Sequence, residues 1–379
     1  MQFRTRAIHV GQAHDPATGA VVPPIHLAST FVQPDASMTS AYDYARTGSP
    51  TRHAFERTLA DLDGGVRALA FASGMAATHC ATLLLAPGDE IVTGTDIYGG
   101  TWRLFNRVLA PHGIAVTAVD TSDTAAVAAA VVPGTKLVWI ESPGNPLLSV
   151  TDIAACAGIA HAAGALLACD ATLATPALTR PLEHGADIVM HSATKSIGGH
   201  SDLLGGALVV RDAELGTRLH WLQNATGGVM GPLEAFLCSR GLKTLELRVQ
   251  AQSATALRLA DWLTSHPRVR RVLYPGLPSH PGHALAARQM AGGFGTIVSF
   301  EVAGTADDAR RVVESTRLFQ LAVSLGAVES LIEIPALMSH GSYDPAARKA
   351  VGIADGLVRL AVGLEAYEDL RDDLASAIG

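Results

Sequence analysis

The chain has 379 residues, 48% of them hydrophobic, with 28 Lys+Arg against 35 Asp+Glu and a formal charge of −7. That length and apolar content allow two or three domains and a large core. The acidic balance, with no basic block anywhere, excludes a nucleic-acid or anionic-membrane surface as the main interface. No apolar run reaches the roughly 20 residues of a membrane span. The opening stretch MQFRTRAIHVGQ has no apolar core of a secretion signal, so none is expected. Cys80, Cys156, Cys169 and Cys238 are far apart and form no Cys-x-x-Cys. They predict buried free thiols in a cytoplasmic, reducing setting, not a disulfide frame or a zinc site.

Residues 1–45 are polar and rich in turn formers, including Pro23-Pro24 and Pro34. They read as an arm that finds its partners on another subunit. From about residue 65, short apolar runs alternate with helical stretches. The strand candidates are ALAFAS (68–73), EIVTG (90–94), IAVTAV (114–119), TKLVWIES (135–142), ALLACDAT (165–172), DIVMHS (187–192) and GGALVV (205–210). Runs that are apolar throughout predict strands buried on both faces, hence a mostly parallel sheet covered by helices. One of those helices is predicted to start at Thr151 as N-cap and to stop at Gly164. A single long helix is predicted over roughly 232–265. Beyond it come RRVLYP, GTIVSFEV, a helix at 305–317, VRLAVGLE and a final helix, which suggest a smaller α/β domain. The division read from this pattern is 1–45 arm, 46–235 large domain and 236–379 small domain.

Ligands of open α/β sheets bind outside the carboxyl ends of the strands. At those ends stand Ser73-Gly74-Met75, Tyr98-Gly99-Gly100, Ser142-Pro143-Gly144-Asn145, Asp170, and Ser192-Ala193-Thr194-Lys195. Lys195 is one of only four lysines beside 24 arginines. An amine can lose its proton and attack a carbonyl, which a guanidinium cannot. Taken singly, each feature has an ordinary structural reading: a cap for Asp170, a core aromatic for Tyr98, a strand-to-helix turn for Ser73-Gly74, a snorkelling side chain for Lys195. Together they form a phosphate cradle, an aromatic face, a buried carboxylate and a lysine, and pyridoxal phosphate uses all four.

The stretch HSATKSIGGHSDLLGG (191–206) resembles the lysine motif of the cystathionine γ-synthase/γ-lyase family of pyridoxal-phosphate enzymes. The resemblance runs over almost the whole chain, through DPATGAVVPPIHLASTF, YARTGSPTR, YGGTWRLF, ESPGNP, DATLATP, RGLKTLELR, SLGAVESL and RLAVGLE. It implies aminotransferase fold-type I: a mostly parallel seven-stranded sheet with helices on both faces, plus the smaller C-terminal domain. It implies that Lys195 bonds the cofactor aldehyde and shuttles the α-proton, that Asp170 pairs with the ring nitrogen, and that Tyr98 stacks on the ring and acts in acid–base steps. Gly74, Met75, Ser192 and Thr194 are implied at the phosphate, with Thr172 also in the cofactor set. Tyr44 and Arg46 are implied to reach that phosphate from a neighbouring subunit, in a homotetramer. Arg359, helped by Asn145 and Ser324, is implied at the substrate carboxylate.

Several positions depart from the family pattern: Ala45, Ser49, Ala171, Ala327 and Ala361. None of them removes a group the core chemistry needs. Arg103 and Glu333 match positions that handle cystathionine in the family, the arginine for its distal carboxylate and the glutamate for its distal ammonium. Gly100 stands where methionine γ-lyases typically carry a cysteine. The expected reaction is γ-elimination on a sulfur amino acid, with cystathionine giving cysteine, 2-oxobutanoate and ammonia. The alternatives are γ-replacement on an O-acylhomoserine, and methionine γ-lyase or cystathionine β-lyase activity. GHSDLLGG superficially resembles a hydrolase nucleophile elbow, but Leu203 takes the place of its last glycine. HPGH (280–283) has no third metal ligand nearby and reads as a helix-entry turn.

Overall fold

The computed structural model describes residues 1–341 and 345–379. Seven strands share one sheet: β1 (Arg67–Phe71), β2 (Glu90–Gly94), β3 (Ala115–Val119), β4 (Thr135–Glu141), β5 (Leu166–Asp170), β6 (Ile188–His191) and β7 (Gly206–Val210). Their spatial order is β1-β7-β6-β5-β4-β2-β3. The pairs from β6 across to β3 are parallel, and β7 runs against both of its neighbours.

Why these runs are apolar throughout follows from the layers they enter. In β1, Ala68 and Ala70 join Phe55, Leu59, Cys238 and Leu242 on one side, while Leu69 and Phe71 join Ala77, Cys80 and Phe105 on the other. In β4, Leu137 and Trp139 likewise take one face, and Val138 and Ile140 the opposite one. Each large side chain buried in this way contributes roughly 1.5–3 kcal/mol. The strands stop one or two residues short of several predicted ends. Ala72-Ser73 and Ala171-Thr172 leave the ladder there to build loops at the sheet edge.

A second sheet holds β8 (Val269–Leu273), β9 (Ile297–Val302), β10 (Gln320–Leu321), β11 (Leu331–Glu333) and β12 (Leu357–Ala361), in the order β10-β11-β12-β9-β8. Its pairs are antiparallel except β10 with β11. Val298, Phe300, Val358 and Leu360 bury one face under the helices Leu245–Thr264, Ala306–Ser315 and Tyr367–Ile378. Ile297, Leu357 and Ala361 on the other face meet Leu148 and Leu173, which come from loops at the carboxyl ends of the first sheet. The two sheets therefore close on each other at the end where ligands bind.

Two local expectations are corrected. The long helix over 232–265 is two helices, Pro232–Leu242 and Leu245–Thr264. Gly241 packs so closely on the Lys195 segment that a Cβ there would lie 2.1 Å from the Ile197 carbonyl oxygen. The Gly241 carbonyl is then taken by Arg248 Nη2 at 2.8 Å, and the helix restarts. The second correction is a cap. Thr151 Oγ1 is engaged with Thr121 Oγ1 at 2.8 Å, so Asp152 caps the helix Ile153–Ala162 by accepting the Ala155 N–H. Within residues 1–45 a short helix, Phe3–His9, is tied to the helix Pro50–Asp63 by Arg6 Nη1 donating to the Asp61 carbonyl at 2.8 Å. Among the described residues, no helix is long and apolar enough to cross a membrane.

Candidate active site

The first wall of the site is the turn after β1. Ser73 Oγ accepts the Ala76 N–H at 3.1 Å and so caps the helix Gly74–Thr82. The N–H groups of Gly74 and Met75 belong to its first turn and have no helical acceptor, a natural anion site. This turn rests directly on β7: a Cβ on Gly206 would lie 2.2 Å from the Ser73 carbonyl oxygen. Ser192, just past β6, faces Gly74, where an added Cβ would lie 3.1 Å from Ser192 Cβ. The Ser192 N–H donates to Thr172 Oγ1 at 2.8 Å, and Thr194 Oγ1 accepts the Gly205 N–H at 2.9 Å. Two sheet-end loops and one helix start thus converge on one spot.

Asp170 and Glu141 end neighbouring strands and are register partners. Both are about 4% exposed. Burial raises the Asp170 pKa, while hydrogen bonding from Thr172 and the nearby His191 oppose that shift. Its Oδ1 accepts the Thr172 N–H at 3.0 Å. Burial and then the charge of Asp170 push Glu141 well above the carboxylate range. Of the two, Glu141 is the one raised further, because Asp170 has the Thr172 donors that oppose its shift.

Lys195 follows β6, and its Nζ donates to Ser324 Oγ at 2.6 Å. Burial, and after it the Arg359 charge, lower its pKa to about 8, with Glu333 opposing. Arg248 Nη1 donates to the Ser196 carbonyl at 2.8 Å and fixes the loop on the far side of the lysine. Arg359, only 3% exposed, projects from β12. Its Nη2 donates to the Ser324 carbonyl at 2.6 Å, and its Nη1 lies 3.1 Å from Asn145 Oδ1 and 2.9 Å from Glu333 Oε1.

Tyr98 precedes the short helix Gly99–Arg103, and its N–H donates to Glu141 Oε2 at 2.8 Å. Its ring remains 40% exposed and rests against Gly100, where an added Cβ would lie 2.4 Å from Tyr98 Cε1.

These groups line one cavity of about 380 Å³. Of the residues singled out in the sequence, Lys195, Asp170, Tyr98, Gly74, Met75, Ser192, Thr194, Thr172, Arg359, Asn145, Ser324 and Arg103 all border it. Three do not. Tyr44 and Arg46 are exposed, and Arg46 Nε donates to Asn224 Oδ1 at 3.0 Å. Glu333 is fully buried, paired with Arg359 and accepting from Ser339 Oγ, and does not border the cavity. Sequence reasoning missed Glu141 and Arg248. Glu141 stands at a strand end as Asp170 does, so the same rule would have found it. Arg248 had no such signal, because the Ser196 carbonyl that it reaches beside Lys195 lies 52 residues away. HPGH is a helix-entry turn, with the Gly282 N–H bonded to His280 Nδ1 at 3.1 Å.

An amine that deprotonates near pH 8, a buried carboxylate, an open aromatic face and orphan N–H groups at a helix start fit pyridoxal phosphate in charge and in kind. Comparison with known proteins agrees. The family described as Cys/Met metabolism PLP-dependent enzyme matches residues 4–379. The cystathionine gamma-synthase of Mycobacterium tuberculosis is 50% identical over 99% of this chain and 96% of its own. The cystathionine beta-lyase of Coxiella burnetii is 48% identical over 99% of this chain and 97% of its own. The crystal structure of cystathionine gamma-lyase from Lactobacillus plantarum, complexed with L-serine, superposes with a TM-score of 0.97 at 46% identity, covering 100% of this chain and 99% of that one.

Proposed function

Because the chain belongs to the Cys/Met-metabolism family of pyridoxal-phosphate-dependent enzymes, we propose that it catalyses γ-elimination on cystathionine, yielding cysteine, 2-oxobutanoate and ammonia. The observation that carries this reading is that two guanidiniums, Arg359 and Arg103, line one cavity around Lys195. That pair suits a substrate with a carboxylate at each end, as cystathionine has, better than methionine, which has one.

Lys195, Asp170, Tyr98 and Thr172 hold the cofactor, with Gly74, Met75, Ser192 and Thr194 at its phosphate. The bound cofactor supplies an aldehyde that engages amines and an electron sink that acidifies the substrate α-hydrogen. Arg359 takes the α-carboxylate, with Asn145 and Ser324 setting its plane. Arg103 takes the distal carboxylate. The Lys195 amine accepts the α-proton and then moves a proton at the β-carbon. The Tyr98 hydroxyl donates a proton to the departing thiolate. Asp170 would face the ring nitrogen and favour its protonated form.

We read the working form as a homotetramer with sites shared across a dimer. Tyr44 and Arg46 lie outside their own chain's cavity, and the arm exposes Val21, Leu27 and Val32, each more than three-quarters accessible.

Product analysis with L-cystathionine tests the reaction. Cysteine with 2-oxobutanoate supports γ-elimination. Homocysteine with pyruvate means β-cleavage and overturns it. If neither pair forms, and cysteine adds to an O-acylhomoserine, the reaction is γ-replacement, which the distal-carboxylate site also suits when the acyl group is succinyl.

A further inference from the structure

We propose that Glu141 is the positioning residue for Tyr98: its carboxyl fixes the backbone from which the Tyr98 ring meets the cofactor. The inference rests on the cofactor role given to Tyr98 above.

Tyr98 is partly open to solvent. It is 40% exposed, and beneath it lies Gly100, which has no side chain to grip its edge. The helix that follows starts at Gly99 with no side-chain cap, runs on through Leu104–Leu109, and returns the Trp102 N–H to the Tyr98 carbonyl at 3.0 Å. The anchor is on the main chain, where the Tyr98 N–H donates to Glu141 Oε2 at 2.8 Å. Glu141 is itself held firmly, being the last residue of the interior strand β4, in register beside Asp170. One strand pair therefore carries both Asp170, which would pair with the ring nitrogen of a bound cofactor, and the acceptor that places Tyr98, so the β4–β5 ladder sets the spacing of the two groups.

The protonation of Glu141 is part of the arrangement. Burial and then the adjacent Asp170 raise its pKa well above the carboxylate range, which favours the neutral form. A neutral carboxyl still offers a carbonyl oxygen to the Tyr98 N–H. In that form it adds no second negative charge beside Asp170.

The test measures the dissociation constant for pyridoxal phosphate, and the melting temperature of the apoprotein, in four variants. Glu141→Gln keeps an uncharged acceptor at the same reach and is expected to bind the cofactor within about 3-fold of the parent. Glu141→Ala is expected to weaken binding about tenfold, the scale of one hydrogen bond. Tyr98→Ala is expected to weaken it by more, through lost stacking. Adding Glu141→Ala to Tyr98→Ala should then weaken it no further, since the anchored ring is already gone. Additive losses in the double variant, or a Gln variant as weak as the Ala variant, would overturn the positioning role while leaving that of Tyr98 intact. Parental affinity in Tyr98→Ala would instead overturn the cofactor role of Tyr98, and this inference with it. Melting temperatures separate these outcomes from a general loss of fold.

Discussion

The Lys195 amine donates to Ser324 Oγ at 2.6 Å, and Ser324 holds its hydroxyl there with a φ of 97°. A non-glycine residue in that region costs on the order of 1–3 kcal/mol. The same residue gives its carbonyl to Arg359, so one strained position serves both the lysine and the buried arginine. Ser324→Gly should relieve the strain and raise apoprotein stability by about 1 kcal/mol over Ser324→Ala. Both variants lose the hydroxyl, and turnover should fall about tenfold in each, the scale of one lost hydrogen bond. Thermal unfolding and kcat measure the two effects separately. Equal stability of the two variants would show that the backbone there is not under strain.

Lys195 makes the site pH-dependent in a defined direction. Its amine titrates near pH 8 in the folded protein and near 10.5 when unfolded. Between those values the unfolded chain binds the extra proton, so apoprotein stability rises with pH across the window from about 8 to 10.5. Below pH 8 both states are protonated, and the cost of burying the charge is felt in full. Only the neutral amine attacks an aldehyde. The rate of pyridoxal-phosphate uptake by apoprotein should therefore rise about tenfold from pH 7 to pH 9 and then level off. Stopped-flow absorbance follows it directly. Lys195→Ala should abolish this profile together with turnover, and an unchanged profile would mean that another amine receives the cofactor.

Glu333 and Arg359 are register partners across β11 and β12, buried to 0% and 3% exposure. Removing one member of a buried pair strands the other, at a cost of about 3–5 kcal/mol. Glu333→Gln, which keeps a hydrogen bond, should lose less stability than Glu333→Ala. The structure gives Glu333 a role through Arg359, so its loss should raise KM by the same factor for cystathionine and for an O-acylhomoserine. If KM rises for cystathionine alone, Glu333 reaches the distal ammonium after all.

Most of the sheet was legible because burial on both faces leaves an unmistakable mark. Runs such as LVWI in β4 have no polar side to give. The strand-end rule then placed Asp170, Lys195 and Ser192 at one edge, and they meet there. Periodicity says nothing about what interrupts it from outside. The break at Lys243-Thr244 comes from Gly241 meeting Ile197 and from Arg248 reaching across to Ser196. The Glu333–Arg359 pair was hidden for the same reason: the charge of Glu333 was visible, but its partner, 26 residues on in a neighbouring strand, was not. Glu141 passed as the polar end of a strand, because the Tyr98 N–H that it accepts comes from 43 residues away.

The placement of Tyr44 and Arg46 outside their own cavity has a consequence that mixing can read. Arg46→Ala should weaken the cofactor site of the neighbouring subunit, and Lys195→Ala should inactivate its own. Each homo-oligomer is then impaired for a different reason. Unfolding and refolding the two variants together at equal amounts gives hybrid dimers in about half of the pairs. In each hybrid the Arg46→Ala chain keeps its own Lys195 and borrows an intact Arg46 from its partner. One site in two is restored, and activity should return to about a quarter of the parental value, well above either variant alone. The measurement is turnover of the refolded mixture against the same variants refolded separately. No recovery would mean that Arg46 serves its own chain, and Arg46 would then have to enter its own cavity by a rearrangement of the 41–49 segment.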